Sequence, residues 1–327
     1  MVARCWKRND SAILANQVGL YLTSEDVPEI FPIHNAMLPT PTELKGYEQI
    51  ARCKICASDR LVPLTHAPLV NYYQCEHCAV IFLNPQPTAE TLKLQYTRQG
   101  LLDTGPARAW FDHVNFHLKE IYRTRLRNVL RYKGQGDLLD VGCGMGDFCG
   151  LAKEAGFRVF GTEFSDQYAE IAKRRAGAEH IYVGRVQEID FKNKTFDVIS
   201  LWHVFEHLPD PLPTLVSLKG LVKPGGVISI EVPNVEQNRK RLMYQVDIKD
   251  YPIDRLEHLF YYSGRALQNA CEQAGLKVLA VNFVDAHQPA KHMLTHIRRK
   301  IKRPAKQLLY IGRQNRGFSA VRIFVTV

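Results

Sequence analysis

Long apolar runs are missing from this sequence, and so are internal repeats and low-complexity segments. No run approaches the about 20 apolar residues that a membrane-spanning helix needs. Charged residues at positions 4, 7, 8 and 10 also occupy the place where the apolar stretch of a signal peptide would begin. We therefore expect a cytoplasmic protein. The balance of 46% hydrophobic and 23% charged residues excludes global disorder, and the length of 327 residues suggests about two domains.

Acidic residues are missing after Asp285, whereas ten lysines and arginines follow it. The net charge of +10 therefore belongs to this last part of the chain, because the preceding residues carry equal numbers of acidic and basic side chains. Met293, Ile297 and Ile301 lie four residues apart and would form one apolar stripe on a helix with basic residues on its other faces. Such a helix either docks on its own domain with a solvated basic face, or contacts an anionic membrane or a phosphorylated acceptor.

Four of the eight cysteines form two CxxC pairs that are separated by 18 residues. The four are Cys53, Cys56, Cys75 and Cys78. In a cytosolic chain such pairs indicate metal binding more often than disulfides, and four thiolates suit the tetrahedral geometry of structural Zn²⁺. We predict an irregular segment over residues 1–49 and a zinc ribbon over 50–88; the alternative is four unligated or redox-active cysteines.

A long amphipathic helix is predicted to end at Gly134 and Gly136, strand and helix signals alternate after it, and the last strand departs from this alternation. The predicted strands are Leu138–Val141, Arg158–Gly161, Ile181–Val183, Phe196–Leu201, Gly225–Glu231, Leu276–Val284 and Phe318–Val327. Between them lie helical patterns, which is typical of an α/β domain with a parallel sheet and helices on both faces. No helix follows the last strand, and residues 286–317 separate it from the strand before. We therefore predict one α/β domain over 106–327, with a basic insertion at 286–317.

The first of these strands runs directly into three alternating glycines, Gly142, Gly144 and Gly146. Glycine allows a tight turn and lets a ligand lie against the backbone near the N-terminus of the next helix. The second strand is followed by Glu163, 23 positions after Asp140, and a carboxylate there can accept both hydroxyls of a ribose. The GxGxG spacing differs from the GxGxxG of dinucleotide sites. The alternative is a tight turn beside a surface glutamate.

Four motifs in this order resemble the class I S-adenosylmethionine-dependent methyltransferase superfamily. They are LLDVGCGMGDF at 138–148, Glu163, FDVI at 196–199 and KPGG at 223–226. The resemblance covers about residues 106–285 and the last strand, and it implies a Rossmann-like sheet of seven strands whose last strand is antiparallel. It also implies S-adenosylmethionine as the cofactor.

The resemblance further implies which residues hold the cofactor. Asp140 and the three glycines would contact its methionine part, and Glu163 would hold its ribose. The segment Gly184–Gln187 has no acidic residue for the adenine amino group, so we expect the backbone or Gln187 to contact the adenine. Phe164, Val186 and Trp202 complete the predicted cofactor-binding set.

The cysteine module followed by this domain resembles bacterial methyltransferases with an N-terminal zinc ribbon, many of which belong to polysaccharide or secondary-metabolite pathways. That resemblance implies a small-molecule acceptor, a sugar or glycoconjugate precursor, that is methylated on oxygen or carbon. Two alternatives stay open. One is a zinc-ribbon RNA methyltransferase, although the basic block lacks interleaved aromatic residues and no Asn-Pro-Pro-Tyr-type motif is present. The other is a non-catalytic protein that senses the cofactor.

Two histidine-bearing segments are candidates for the chemistry, because methyl transfer to most hydroxyl or carbon acceptors needs a base. His203 and His207 are predicted to share one face of a helical turn beside Glu206, with His203 as the base or as a neighbour of the methyl group. The pattern His203-x-x-Glu206-His207 resembles the Glu-x-x-Glu-His metal motif of ubiquinone-pathway O-methyltransferases, and a purely structural pair is the alternative. His258 and Tyr261 are candidates for acceptor binding or proton removal, or for structural packing.

Overall fold

The structure is a computed structural model that describes residues 46–64, 70–92, 119–176, 180–235, 258–284 and 320–327. The predictions for residues 1–45 and for the basic insertion 286–317 lie outside the described residues. In the described part, no helix has both the length and the apolar character that crossing a membrane requires.

The described strands are numbered in chain order. They are β1 Tyr47–Glu48, β2 Leu61–Pro63, β3 Asn71–Cys75, β4 Ile81–Asn84, β5 Gln86–Pro87, β6 Gly136–Val141, β7 Phe157–Glu163, β8 Ile181–Val183, β9 Phe196–Trp202, β10 Val222–Pro233, β11 Phe260–Tyr261, β12 Lys277–Val284 and β13 Ala320–Thr326. The described helices are a short helical segment at residues 89–92, α1 at residues 119–129, α2 Asp147–Glu154, α3 Asp166–Ala176, α4 Pro211–Leu221 and α5 Gly264–Gln273, with a short 3₁₀ turn at Phe205–His207.

Seven strands form the central sheet in the order β12-β13-β10-β9-β6-β7-β8. The five strands β10, β9, β6, β7 and β8 run parallel to one another. The strand β13 lies between β10 and β12 and is antiparallel to both. Residues 320–325 of β13 are all buried, which suits a strand that is covered on both faces. The predicted seven-stranded α/β sheet with an antiparallel last strand is confirmed.

Helices cover both faces of this sheet, as adjacent residues of β6 make clear. Leu138 packs in a core cluster with buried residues of α1, α2 and α3, whereas Leu139 packs in a second cluster with residues of α4 and α5. Successive side chains of a strand point to opposite faces, so the sheet separates two apolar layers. The carboxyl ends of the parallel strands all meet at one edge, where the glycine loop begins.

The cysteine module forms a second, smaller antiparallel sheet with the order β11-β4-β3-β2, and β1 pairs with β5 beside it. The strand β11 comes from residues 260–261, far along the chain from its partner β4. The prediction of an irregular segment up to residue 49 is wrong at its end, because Tyr47 and Glu48 pair with β5. Neither pairing has a local sequence signal, since each joins short segments that are distant along the chain.

Candidate active site

The glycine loop follows β6 and places three left-handed residues in succession. Gly142, Gly144 and Gly146 have φ of 67°, 54° and 79°, a region that side-chain-bearing residues rarely adopt. A Cβ on Gly146 would lie 2.8 Å from the Cα of Ala172, so this glycine also allows α2 and α3 to pack closely. At Gly144 no atom would lie within 4 Å of a Cβ, so the loop has an open side there.

The open side of the loop faces a cavity of about 200 Å³. It is lined by Tyr122, Asp140, Gly142, Cys143, Gly144, Met145, Asp147, Phe148, Tyr168 and Trp202. Asp140, Gly142, Gly144 and Trp202 belong to the cofactor-binding set predicted from the sequence. Tyr122 of α1 and Tyr168 of α3 were missed, since an aromatic residue on an amphipathic helix is indistinguishable from a core residue in the sequence.

Glu163 closes the loop from the end of β7. One carboxylate oxygen accepts a hydrogen bond from the backbone N–H of Gly144 at 2.8 Å, and the other accepts from Phe164 and Ser165 at 2.8 and 2.9 Å. Burial raises the pKa of Glu163, and these three hydrogen bonds oppose that rise. The carboxylate therefore lies against the glycine loop, although Glu163 is not among the residues that line the cavity, and its predicted contact with a ribose stays a prediction.

Asp140 anchors the end of β6. Its carboxylate accepts from the Ser200 hydroxyl at 2.6 Å and from the Cys149 thiol at 3.7 Å. Burial raises the pKa of Asp140 to about 7, so the carboxyl is partly protonated at neutral pH. These contacts join β6 to β9 and α2 beneath the cavity.

The residues predicted for the adenine make other contacts in this structure. Val186 is buried in the apolar core, and the Gln187 amide donates to the hydroxyl of Thr214 on α4. Neither residue lines the cavity described above. Their predicted contacts with adenine stay a prediction.

His203 lies between two buried carboxylates. It has a φ of 55° directly after β9, with Nδ1 at 3.3 Å from a Glu206 oxygen and Nε2 at 3.3 Å from a Glu231 oxygen. Burial alone would lower the pKa of His203, but the two carboxylates outweigh it and raise the pKa to about 9. The imidazole is therefore a cation at neutral pH. The predicted helical face shared with His207 is wrong, because the 3₁₀ turn begins after His203, at Phe205.

Glu231 is fully buried and is surrounded by three cations: the buried Arg125 and Arg322 and the partly exposed His203. Arg125 donates to one of its oxygens at 2.6 and 3.0 Å, and Arg322 donates to the other oxygen through two nitrogens. Both guanidinium groups also lie over the Trp202 ring, at 5.2 and 5.5 Å. Burial would raise the pKa of Glu231, but Arg125 and Arg322 outweigh it and hold the pKa well below its ordinary value.

Glu206, His207 and His258 form a second polar cluster beside His203. Their potential ligand atoms all lie within 4.8 Å of one another, and the two imidazole rings are 4.6 Å apart. Burial would raise the pKa of Glu206, but His203 and the two other imidazoles outweigh it and lower the pKa. The third residue of this possible ligand set is therefore His258, whereas the sequence motif had suggested His203. Tyr261 lies next to this cluster, with its ring 5.7 Å from that of His258.

The four predicted cysteine ligands come together at the ends of β2, β3 and β4. Their sulfur atoms all lie within 4.8 Å of one another, and the pairs Cys53–Cys78 and Cys56–Cys75 are each 3.5 Å apart. Four sulfurs bound at about 2.3 Å to one Zn²⁺ would lie about 3.8 Å from each other, so the cluster has the size of a zinc site.

A family model described as a methyltransferase domain matches residues 111–281, more than half of the chain. The chain belongs to this family. It is an S-adenosylmethionine-dependent methyltransferase, as the order of the four sequence motifs predicted. The match includes the glycine loop, Glu163 and both histidine-bearing segments.

Curated relatives agree with this assignment. The ubiquinone biosynthesis O-methyltransferase of Haemophilus ducreyi is 30% identical over 194 residues, which cover 52% of this chain and 80% of the relative. That of Coxiella burnetii is 26% identical over 159 residues, or 46% of this chain and 67% of the relative. The demethylmenaquinone methyltransferase of Staphylococcus saprophyticus is 30% identical over 121 residues, or 35% and 52%.

Solved methyltransferase structures are similar at lower identity. An S-adenosylmethionine-dependent methyltransferase from Mesorhizobium loti is 15% identical with a TM-score of 0.47, covering 63% of this chain and 97% of that one. One from Archaeoglobus fulgidus is 20% identical with a TM-score of 0.46, covering 67% and 99%.

Proposed function

We propose that this methyltransferase transfers its methyl group to the hydroxyl oxygen of a small molecule, bound beside Glu206, His207 and His258. The observation that carries the proposal is the position of these residues. Trp202 lines the cavity at the glycine loop, and the 3₁₀ turn with Glu206 and His207 follows within five residues. A cofactor in the cavity would then present its methyl group close to paired imidazoles and a buried carboxylate.

The cavity fits S-adenosylmethionine. The open side at Gly144 lets a ligand approach the backbone, and Glu163 places a carboxylate on the same loop. In this proposal the loop glycines and Asp140 hold the methionine part, and Glu163 holds the ribose. The rings of Tyr122 and Trp202 would form apolar walls. The cofactor supplies the electrophilic methyl group.

Proton removal falls to His207 or His258. A protonated imidazole has no lone pair for a proton, so the charged His203 suits the role of a fixed cation better than the predicted role of base. Either of the other two imidazoles can accept the hydroxyl proton, and the Glu206 carboxylate stabilises the imidazolium that forms. His203 would balance the negative charge of Glu206 throughout.

A divalent cation is an alternative occupant of the same cluster. Both Glu206 oxygens are buried and lack a well-aligned hydrogen-bond donor among the described residues, and the two imidazoles lie within ligand distance. Glu206, His207 and His258 would then hold the ion, which would lower the pKa of a bound hydroxyl.

The acceptor that we propose is a phenolic hydroxyl. The predicted sugar or glycoconjugate acceptor finds no support in the relatives, whose names refer to ubiquinone biosynthesis and to demethylmenaquinone. A phenol loses its proton near pH 10, within reach of an imidazole base, whereas a sugar hydroxyl is a much weaker acid.

The test is methyl transfer from labelled S-adenosylmethionine to a panel of acceptors: polyprenylated catechols, nucleotide sugars and RNA. We expect label on the phenolic oxygen of a catechol. Label on nucleotide sugars alone would restore the sugar prediction, and label on RNA alone would favour the RNA alternative. Cofactor binding without any transfer would favour a cofactor-sensing protein. Each of these outcomes overturns the phenol proposal.

His203→Ala is expected to lower turnover by about 100-fold or more while leaving cofactor affinity nearly unchanged, because the cation beside Glu206 is lost. Steady-state kinetics with calorimetric titration of the cofactor measure both quantities. His180→Ala is a matched control, since His180 lies just before β8 and stacks on Phe160 of β7. If His203→Ala turns over as fast as the wild type, His203 has only a packing role.

Stability should also depend on pH through His203. Its pKa rises from the ordinary 6.5 to about 9 in the folded protein. The stabilisation that this cation contributes is therefore complete below pH 6.5 and is lost as the pH rises through about 9. Denaturant unfolding between pH 6.5 and 9.5 should show this loss in the wild type and a smaller one in His203→Ala. Equal losses would show that another group titrates.

We also propose that Cys53, Cys56, Cys75 and Cys78 hold one structural Zn²⁺. A site with four thiolates has no open coordination position, so its role is folding. Elemental analysis should give about one zinc per chain, and Cys75→Ser should lower the thermal midpoint without changing cofactor affinity. Cys271→Ser, at a buried cysteine of α5, is the matched control. A metal-free preparation with full thermal stability would refute the site.

A further inference from the structure

The short strand β11 connects the cysteine module to a histidine of the candidate site. Phe260 and Tyr261 pair with Phe82 and Ile81 of β4. Just before this strand, the carbonyl of Leu259 accepts from the backbone N–H of Leu83 at 2.9 Å and from the Gln86 side chain at 3.3 Å. His258 is the next residue back along the chain.

The same segment is held from the other side by the central sheet. The backbone N–H of Val235, which follows β10, donates to the carbonyl of Tyr262 at 3.1 Å. The Tyr262 ring stacks on Phe205 of the 3₁₀ turn, at 5.2 Å between centroids. His258 therefore lies between the cysteine module and the turn that carries Glu206 and His207.

A continuous ladder leads from β11 to the cysteines. The strand β4 pairs with β3, which ends at Cys75, and Cys75 faces Leu61 of β2. Aromatic contacts reinforce the ladder, since Tyr261 meets Tyr72 of β3 edge to face at 5.4 Å. Cys75 and Phe260 belong to one core cluster. The glycine-loop residue Cys143 belongs to a different core cluster, with Phe148 and Trp202.

We infer that the cysteine module positions His258 for methyl transfer, with Gln86 as a positioning residue. Metal-bound cysteines would hold β3 and β4, β4 holds β11, and β11 sets His258 against His207. Occupancy of the cysteine site would then control transfer to the acceptor but not affinity for the cofactor. The inference rests on the proposed function for the role of His258 and on the proposed zinc site for the metal.

The first test compares Gln86→Met with Gln74→Met in the full chain. Gln86→Met keeps the size of the buried side chain but removes its hydrogen bond to Leu259, whereas Gln74 lies on β3 and makes no such bond in the described structure. We expect Gln86→Met to speed amide exchange at residues 259–262 by about tenfold, the loss of one buried hydrogen bond. It should also shift the His258 imidazole NMR signals and lower kcat, with cofactor Kd within twofold. Gln74→Met should leave all four unchanged, and equal effects of the two variants would overturn the inference.

The second test removes the metal with a chelator and follows hydrogen exchange along the chain. Protection should be lost at residues 71–75 and 259–262 together and kept at 136–141, with cofactor affinity unchanged. Loss at 71–75 with protection kept at 259–262 would overturn the inference. If chelation unfolds the whole chain, the comparison of Gln86→Met with Gln74→Met decides whether the inference holds. The exchange and NMR readouts need no acceptor, so they test the positioning of His258 even if the acceptor is unknown. A wild-type protein that transfers no methyl group would refute the proposed function without affecting these two readouts.

Discussion

Glu231→Ala is expected to lower the free energy of unfolding by about 3–5 kcal/mol, because it leaves buried charges without their counter-ion. Glu231 is fully buried and accepts hydrogen bonds from Arg125 and Arg322, while His203 lies 3.3 Å away. Removing the carboxylate would leave the two buried guanidinium groups without their shared counter-ion, and His203 would keep only its contact with Glu206. Urea unfolding at pH 7 measures the loss.

Glu170→Ala is the matched control for this prediction. Glu170 also pairs with a cation, Lys173, but the pair lies on the surface of α3 and its carboxylate is 60% exposed. Water and salt screen an exposed ion pair, so this variant should unfold almost as the wild type does. A similar small cost for Glu231→Ala would mean that the two arginines find other partners or water.

Glu163→Ala is expected to weaken S-adenosylmethionine binding by about 3 kcal/mol, or about 150-fold in Kd. Two causes act in the same direction. The proposed hydrogen bonds from the ribose hydroxyls to the carboxylate are lost, and so is the bond from the backbone N–H of Gly144 that holds the loop. Isothermal titration calorimetry measures the affinity, and Glu163→Gln should fall in between because it keeps the shape but loses the charge.

Glu154→Ala, at an exposed residue at the end of α2, is the control for this measurement and should bind the cofactor as the wild type does. A thermal melt must first show that Glu163→Ala is folded. If the folded variant binds S-adenosylmethionine with unchanged affinity, the assignment of Glu163 to the ribose is wrong. The carboxylate would then only hold the glycine loop in place.

The sequence by itself predicted the central sheet, the glycine loop and the cysteine cluster. Each of these has a local signal. Alternating strand and helix patterns reflect which side chains are buried, Gly142 to Gly146 mark backbone that only glycine adopts easily, and CxxC spacing places two sulfurs on one turn. Such signals depend on residues that are close along the chain, so they could be recognised before the structure was known.

Only the tertiary structure decided the charge of His203 and which residues surround His258. The carboxylate of Glu231 and the guanidinium groups of Arg125 and Arg322 meet across separations of 106 and 91 residues, and no local pattern records that meeting. The pKa of His203 is therefore invisible in the motif around it, since one of its two partners comes from another strand. The pairing of β11 with β4 is likewise a contact between distant segments. A side chain's chemistry follows from the groups that surround it in space, and those groups are known only once the chain is folded.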